Sequence, residues 1–332
     1  MGLTKIEWCD RTWNCIRGCS RVSAGCTHCY AERFSARGLP GHKSPTTGEP
    51  FAVMKSDGPH WTGKVELIEH MLTEPMKWRK PTRCFVNSMS DLFHEELSDE
   101  AIDRVFAVMA LCPAHTFIVL TKRAKRMREW FIRRPARFTD EIGRQRTMPG
   151  FICRPLLAGF YGTALANRSW QDGQWPLPNV ILGVSVENQP TADARIPELL
   201  ATPAACRIVS YEPALAAVDF RRWLRSQVPI KRIEDIPRLE DVRVLDQIII
   251  GGESGPGARP FDLQWARDTI RQCEAANVPC FFKQAGAKPY VESLNADRHA
   301  IPIYYKDKKG GNPLEWEPGL RVREFPTLGG AR

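Results

Sequence analysis

The sequence predicts an α/β protein: a full or partial parallel (β/α) barrel with an insertion and a C-terminal extension. Three observations predict it. Short, unbroken apolar runs rich in β-branched residues recur along the chain. Stretches of helical periodicity lie between them. Polar or charged residues stand just past the ends of the runs. Unbroken apolar runs suit strands covered on both faces, as in a parallel sheet. Strands alternating with helices give βαβ units of one hand.

The runs, in order, are residues 84–88 (CFVNS), 116–121 (TFIVLT), 180–186 (VILGVSV), 207–210 (RIVS), 247–250 (QIII) and 278–283 (VPCFFK). With an N-terminal strand around residues 6–13 they make about seven β/α units, which fits a barrel better than a doubly wound sheet. A helix is expected over 98–110, where Ser98 can cap and Ile102, Val105, Phe106 and Met109 share a face. Another is expected over 262–276, with Leu263, Ala266, Ile270 and Cys273 on one side. Residues 1–290 form the barrel in this reading. Residues 35–63, rich in Gly, Pro, His and Lys, read as a long loop. Residues 139–178, with Trp170, Trp175, Pro176 and Pro178, break the alternation and read as an insertion or lid. Residues 291–332, with Tyr304, Tyr305, Lys306, Lys308 and Lys309, read as a peripheral extension.

The chain has 332 residues, 43% hydrophobic and 26% charged, a composition ordinary for a soluble globular protein large enough to fold without disulfides. No apolar run reaches the ~18 residues of a membrane span, and residues 1–10 lack an apolar signal core. A cytoplasmic protein with no membrane partner is expected. The net charge of +9 favours a polyanionic partner such as nucleic acid. Much of the positive charge falls in Lys122, Arg123, Lys125, Arg126, Arg128, Arg133, Arg134 and Arg137, with Glu129 the one acid among them. Such a run is either a solvated helix face or, beside an active site, a phosphate-binding rim.

Eleven cysteines in a cytosolic-looking chain are not a disulfide framework. Six of them (Cys84, Cys112, Cys153, Cys206, Cys273, Cys280) are scattered and read as small buried hydrophobes. The other five, Cys9, Cys15, Cys19, Cys26 and Cys29, fall within the first 29 residues. Cys19, Cys26 and Cys29 place three thiols in one loop beside Gly18 and Gly25. Thiolates select zinc, copper(I) or iron–sulfur centres. Three ligands leave one metal position open, whereas Cys9 or Cys15 as a fourth would complete a structural zinc site. Spacing alone indicates a metal site but not its identity.

The strand ends supply the other candidates: Ser88, Ser90 and Asp91; Lys122 and Arg123; Ser185 and Glu187; Glu212; Gly251, Gly252 and Glu253; Lys283 and Gln284. Asp91 can accept from an ammonium or cap the following helix. A glycine pair allows close backbone approach to a ligand, but Gly251–Gly255 lacks the ending of a P-loop. Lys122 and Lys283 can bind phosphate or carboxylate, or be merely solvated. No Ser/His/Asp hydrolase signature is present. His28, His42, His60, His70, His94, His115 and His299 lack metal-helix spacing.

Several blocks carry a more specific likeness. They are Ile6-Glu7-Trp8, Trp13-Asn14, Gly18-Cys19, the segment from Val22 to Glu32, the segment from Phe85 to His94, Leu120-Thr121-Lys122-Arg123, the segment from Leu182 to Gln189, Ser210-Tyr211-Glu212-Pro213, the segment from Ile250 to Pro260, and Phe281-Phe282-Lys283-Gln284. In this order, over residues 3–290, the chain resembles a phage-associated, radical-SAM-like protein family with a three-cysteine motif. Its six residues between the first two cysteines depart from the usual radical-SAM spacing of three. The resemblance implies a barrel of the radical-SAM type, with a [4Fe–4S] cluster on Cys19, Cys26 and Cys29 and with Cys9 and Cys15 outside the motif. It implies S-adenosyl-L-methionine as cosubstrate, bound among Ser88, Ser90, Asp91, Ser185, Glu187, Gly251, Gly252 and Glu253. Glu212, Lys122 and Lys283 would face substrate, and an electron donor such as flavodoxin or ferredoxin would be needed. The substrate implied is a nucleic-acid base or nucleotide, with DNA foremost and a bacterial host as the setting. An isomerase acting on a modified pyrimidine, a repair-type lyase and a zinc-stabilised nucleic-acid binder without catalysis all remain open at this level.

Overall fold

The structure is a computed structural model and describes residues 4–39, 41–139, 145–161, 174–224, 244–293 and 299–327. Its main sheet has seven strands: β1 (Arg11–Trp13), β2 (Arg83–Val86), β3 (Thr116–Thr121), β4 (Val180–Ser185), β5 (Cys206–Tyr211), β6 (Gln247–Gly251) and β7 (Cys280–Gln284). They lie side by side in chain order, β1 to β7. The pairs β1–β2, β2–β3, β5–β6 and β6–β7 are parallel. An order without reversal is that of a singly wound β/α array, not a doubly wound sheet. With β1 and β7 at its two ends it takes the partial form. The expected strands are all present. The first is shorter than residues 6–13 because Trp8 and Cys9 precede it in a turn-rich segment.

By packing, the chain forms two compact units. One is Met1–Leu182 with Thr202–Ala205 and Leu328–Arg332. The other is Gly183–Ala201 with Cys206–Thr327. Residues 291–327 thus belong to the second unit.

The first unit contains α1 (Tyr30–Ser35), α2 (Asp99–Leu111) and α3 (Ala124–Ile132) along with β1 to β3. Helix α2 starts where expected: Ser98 Oγ accepts from Ala101 N at 3.2 Å. Its Ile102, Val105, Phe106 and Met109 are buried. Phe106 meets Trp130 of α3 at 4.5 Å between ring centroids. The stretch read as a long loop contains an antiparallel hairpin, Ala52–Lys55 with Gly58–Trp61. Its turn ends at Gly58, whose φ of 124° suits glycine. In the expected insertion, Arg137–Thr139 pairs with Gln145–Thr147, and a helix follows over Met148–Tyr161. Trp175 stacks on Phe131 at 5.4 Å. Trp170 and the rest of 162–173 lie outside the described residues.

In the second unit, α4 (Gln189–Ala201) and α5 (Leu263–Ala276) follow β4 and β6. Asp262 caps α5, accepting from Gln264 N at 2.8 Å. Leu263, Ala266, Ile270 and Cys273 are buried on the predicted face. The chain after residue 300 packs back on β7. Phe282 N donates to Val322 O at 2.8 Å, Glu324 N donates to Cys280 O at 2.9 Å, and Trp316 lies 4.6 Å from Phe282. Among the described residues, no helix is long and apolar enough to cross a membrane.

Candidate functional site

The five N-terminal cysteines separate into two groups. Cys15 is fully buried, its thiol 3.8 Å from Asn87 Oδ1, and Cys9 is buried as well. Both lie close enough to buried Cys84 for their charges to disfavour its thiolate, after burial itself. These are core residues. Cys19 and Cys29 are half-buried in the loop that leads into α1, with buried Cys26 between them. Burial pushes the Cys19 thiol up to about 12, with the charges of Asp91 and Cys29 adding to it and that of Arg123 opposing it. Burial also raises Cys29, and the charge of Cys26 adds to that rise. The three loop thiols are therefore electrostatic neighbours.

Two devices fix this loop. Gly18, at φ +86°, passes so close to Lys64 O that an added Cβ would sit 1.8 Å from it, so only glycine fits ahead of Cys19. Buried Glu32 accepts from Arg21 Nε at 2.9 Å and from Trp61 N at 2.8 Å, tying the loop to the hairpin. By donor type, three thiols suit a soft metal centre, but their present positions do not gather them around one ion. Among the described residues, no three His, Cys, Asp or Glu side chains stand at metal-holding distances.

Ser88, Ser90, Asp91 and Lys122 all lie near this loop, and most of them hold the protein itself. Ser88 Oγ donates to Asn14 Oδ1 at 3.1 Å, and Ser90 Oγ donates to Ile16 O at 2.9 Å. Asp91 accepts from Thr121 Oγ1 at 2.7 Å, Lys122 N at 3.1 Å and Arg123 Nη1 at 3.1 Å. It also accepts from Phe93 N at 3.0 Å, bracing a turn; the following helix, which Asp91 was expected to cap, is capped by Ser98 instead.

The centre of the network is Arg123, whose side chain is 3% exposed. It donates from Nε to Glu95 at 2.6 Å and from Nη2 to Ser20 Oγ at 2.7 Å, and its Nη1 lies 3.8 Å from Cys19 Sγ. Although burial disfavours its charge, Asp91, Cys19 and Glu95 together raise its pKa. Arg123, a candidate from its place at a strand end, is thus engaged within the protein.

His94 extends the network. Its Nδ1 accepts from Glu96 N at 3.2 Å, and its Nε2 stands 2.9 Å from Ser20 Oγ. Burial, and then the charge of Arg123, lower its pKa. With Nδ1 an acceptor, Nε2 carries the proton and donates to Ser20. Ser20 then accepts from two donors and keeps its own proton to give. Neither of these neighbours, as a donor, can take that proton. Ser20 and His94 line a cleft of about 770 Å³ whose other walls include Thr46, Lys64 and Glu66. Sequence reasoning missed this cleft, because its walls come from several separate segments of the chain.

The basic run is largely neutralised from within. Arg126, Arg133 and Arg134 converge on Asp99; Arg133 and Arg134 lie 3.1 and 3.3 Å from it. Arg134 also reaches Asp103 at 2.9 Å and lies 4.4 Å from the Trp130 ring centroid. Neither a bare solvated face nor an open phosphate rim describes these arginines.

The remaining candidates belong to the second unit. Glu187 is fully buried and bridges Arg195 at 3.2 Å, while Arg195 also donates to Ser185 O at 2.6 Å. Glu253 pairs with Arg259 at 2.6 Å. Gly252 is glycine because an added Cβ would meet Ala285 O at 2.5 Å. Glu212 and Lys283 form an ion pair of 2.9 Å, with side chains 13% and 21% exposed. Glu212 directly follows β5 and Lys283 lies in β7, the strands on either side of β6. The residue between them is Gly251, where a Cβ would meet Glu212 Oε1 at 2.9 Å. The missing side chain is what lets the pair meet across the middle strand. A carboxylate and an ammonium held together at the carboxyl ends of parallel strands can exchange a proton with a ligand placed there.

These features define a singly wound α/β protein with charged strand ends and a three-thiol loop at its start. The chain belongs to the family described as Protein of unknown function (DUF5131), whose profile matches residues 3–310. No curated protein and no solved structure matches it.

Proposed function

We propose that the chain is a radical S-adenosylmethionine enzyme with a [4Fe–4S] cluster on Cys19, Cys26 and Cys29. In this reading it modifies a nucleic-acid base or nucleotide, DNA foremost, by isomerisation or rearrangement of a modified pyrimidine. The observation that carries the reading is the placement of the five N-terminal cysteines: Cys9 and Cys15 are buried near Cys84, while Cys19, Cys26 and Cys29 share one loop in which Cys19 and Cys29 are half-buried and Cys26 is buried. Three thiols and no fourth is the donor set that leaves a cluster position open. When bound, such a cluster supplies one-electron reduction of the S-adenosylmethionine sulfonium.

The chain's own residues have definable tasks. Arg123 lends positive charge beside Cys19, which favours an anionic cluster there. Asp91 and Glu95 hold Arg123 in place. Ser88 and Ser90 anchor the backbone that leads into the loop. Glu212 and Lys283 form the proton-exchanging pair that would meet substrate. A reduced electron donor such as flavodoxin or ferredoxin, and a cytoplasmic setting, follow from the same reading.

The test is anaerobic purification and reconstitution, followed by incubation with dithionite and S-adenosylmethionine. A brown protein with about four irons that releases 5′-deoxyadenosine is expected. Cys19→Ala, Cys26→Ala and Cys29→Ala should each abolish release, and Cys9→Ala and Cys15→Ala should leave it. A colourless protein holding one zinc and forming no nucleoside would overturn the reading in favour of a zinc-stabilised nucleic-acid binder.

A further inference from the structure

We infer that a cleft in the second unit, between the turn after β6 and the returning C-terminal chain, binds single-stranded nucleic acid through its phosphates and one stacked base. The cleft measures about 550 Å³. Ser254, Gly255 and Pro256 line it together with Tyr304, Lys308 and Lys309. Its size suits one nucleotide unit.

The charge available there differs in kind from that of the arginine run. Lys308 and Lys309 are exposed, and among the described residues no ion pair engages either ammonium. The acids nearest to them in the chain are occupied by backbone. Asp307 accepts from Lys309 N at 3.1 Å and Gly311 N at 2.7 Å. Glu315 accepts from Asp307 N at 3.4 Å, Asn312 Nδ2 at 2.9 Å and also Lys306 N. The carboxylates brace the turn and leave the lysine ends for an anion.

The second feature is Tyr304, which is 88% exposed at the mouth of the cleft. A ring held in water beside free ammonium groups is the combination by which proteins grip single strands: phosphates on cations, a base on an aromatic face. The segment is also firmly seated. Gly310 O accepts from Ala285 N and from the Trp316 indole, each at 2.9 Å. An added Cβ on Gly310 would lie 2.9 Å from Gly286 O. Such a pinned turn presents its lysines without first having to be ordered. A stacked base must be unpaired, which selects a single strand over a duplex. The inference rests on the proposal above only in taking nucleic acid as the substrate class, and it does not need the cluster.

The test uses the full-length chain and a fluorescein-labelled oligo-dT, followed by fluorescence anisotropy across a salt series. Lys308→Ala/Lys309→Ala should weaken binding about tenfold at low salt and lower the slope of log K against log salt by about 1.4, two single-strand phosphate contacts. Tyr304→Ala should weaken binding about fivefold or more and leave the slope unchanged. Arg133→Ala, whose partner is Asp99, should bind as wild type. Binding untouched by the lysine and tyrosine changes, or a duplex bound as tightly as the single strand, would overturn the inference. Strand binding at this site without 5′-deoxyadenosine release sinks the enzymatic reading alone; release without strand binding sinks this one alone.

Discussion

Two basic stretches, 122–137 and 304–309, look alike in sequence and behave oppositely in the structure. In the first, guanidinium groups are engaged by carboxylates: Arg123 by Asp91 and Glu95, Arg126 and Arg133 by Asp99, Arg134 by Asp99 and Asp103. In the second, the carboxylates are spent on backbone N–H groups and the ammonium groups remain outside. The difference teaches that a count of Lys and Arg measures potential charge only. What a ligand meets depends on where the acids went.

The comparison can be broken most severely at Asp91. Asp91→Asn would leave buried Arg123 with only the more exposed Glu95 as its carboxylate partner, at a cost of about 2–3 kcal/mol, read as a lowered urea midpoint at constant slope. A change below about 1 kcal/mol would mean that the pair is solvated and that the description of an engaged guanidinium fails. Next in size is Arg134→Ala, which removes a bridge to Asp103 and a guanidinium over Trp130. A loss of about 1–3 kcal/mol is expected, with Arg134→Lys recovering only part of it, since an ammonium cannot reproduce the fork.

A smaller effect concerns acid. Burial would raise Asp99, yet the hydrogen bond from Arg126 and the charges of Arg126, Arg134 and Arg133 bring it below the usual aspartate range. A carboxylate lowered on folding adds stability above its unfolded value, about pH 4, and loses it as pH falls through the folded value. Denaturation midpoints followed from pH 6 to pH 3 should therefore fall less steeply in Asp99→Asn than in wild type. Parallel curves would show that the three arginines do not act on Asp99. Smallest of all, Lys308→Ala/Lys309→Ala should shift stability by no more than about 0.5 kcal/mol, because those side chains support nothing in the fold.

The strands were legible because each is an unbroken apolar run, and residues such as Ile248, Ile249 and Ile250 are buried as such runs require. Helix starts were legible at Ser98 and Asp262, where the capping signal is local. The cysteine loop was legible from spacing, and the withdrawal of Cys15 agrees with its place beside Trp13 and Ile16. Charge partnerships were not legible. Arg123 and Asp91 stand 32 residues apart, and Arg126 and Asp99 stand 27 apart. No local pattern joins them. Nor could the glycine run after β6 disclose its use. Gly251 is small so that Glu212 and Lys283 can meet, and Gly252 is small to admit Ala285, which are packing demands visible only in three dimensions.

The return of residues 322–324 along β7 has a practical consequence. A terminal strand with free amides and carbonyls recruits strands from other molecules, and here Val322 and Glu324 occupy that margin. A shortened protein ending near residue 290, tempting as a minimal barrel, would bare the rim of the sheet and come out of expression as aggregate, whereas one ending after Phe325 would keep its border closed.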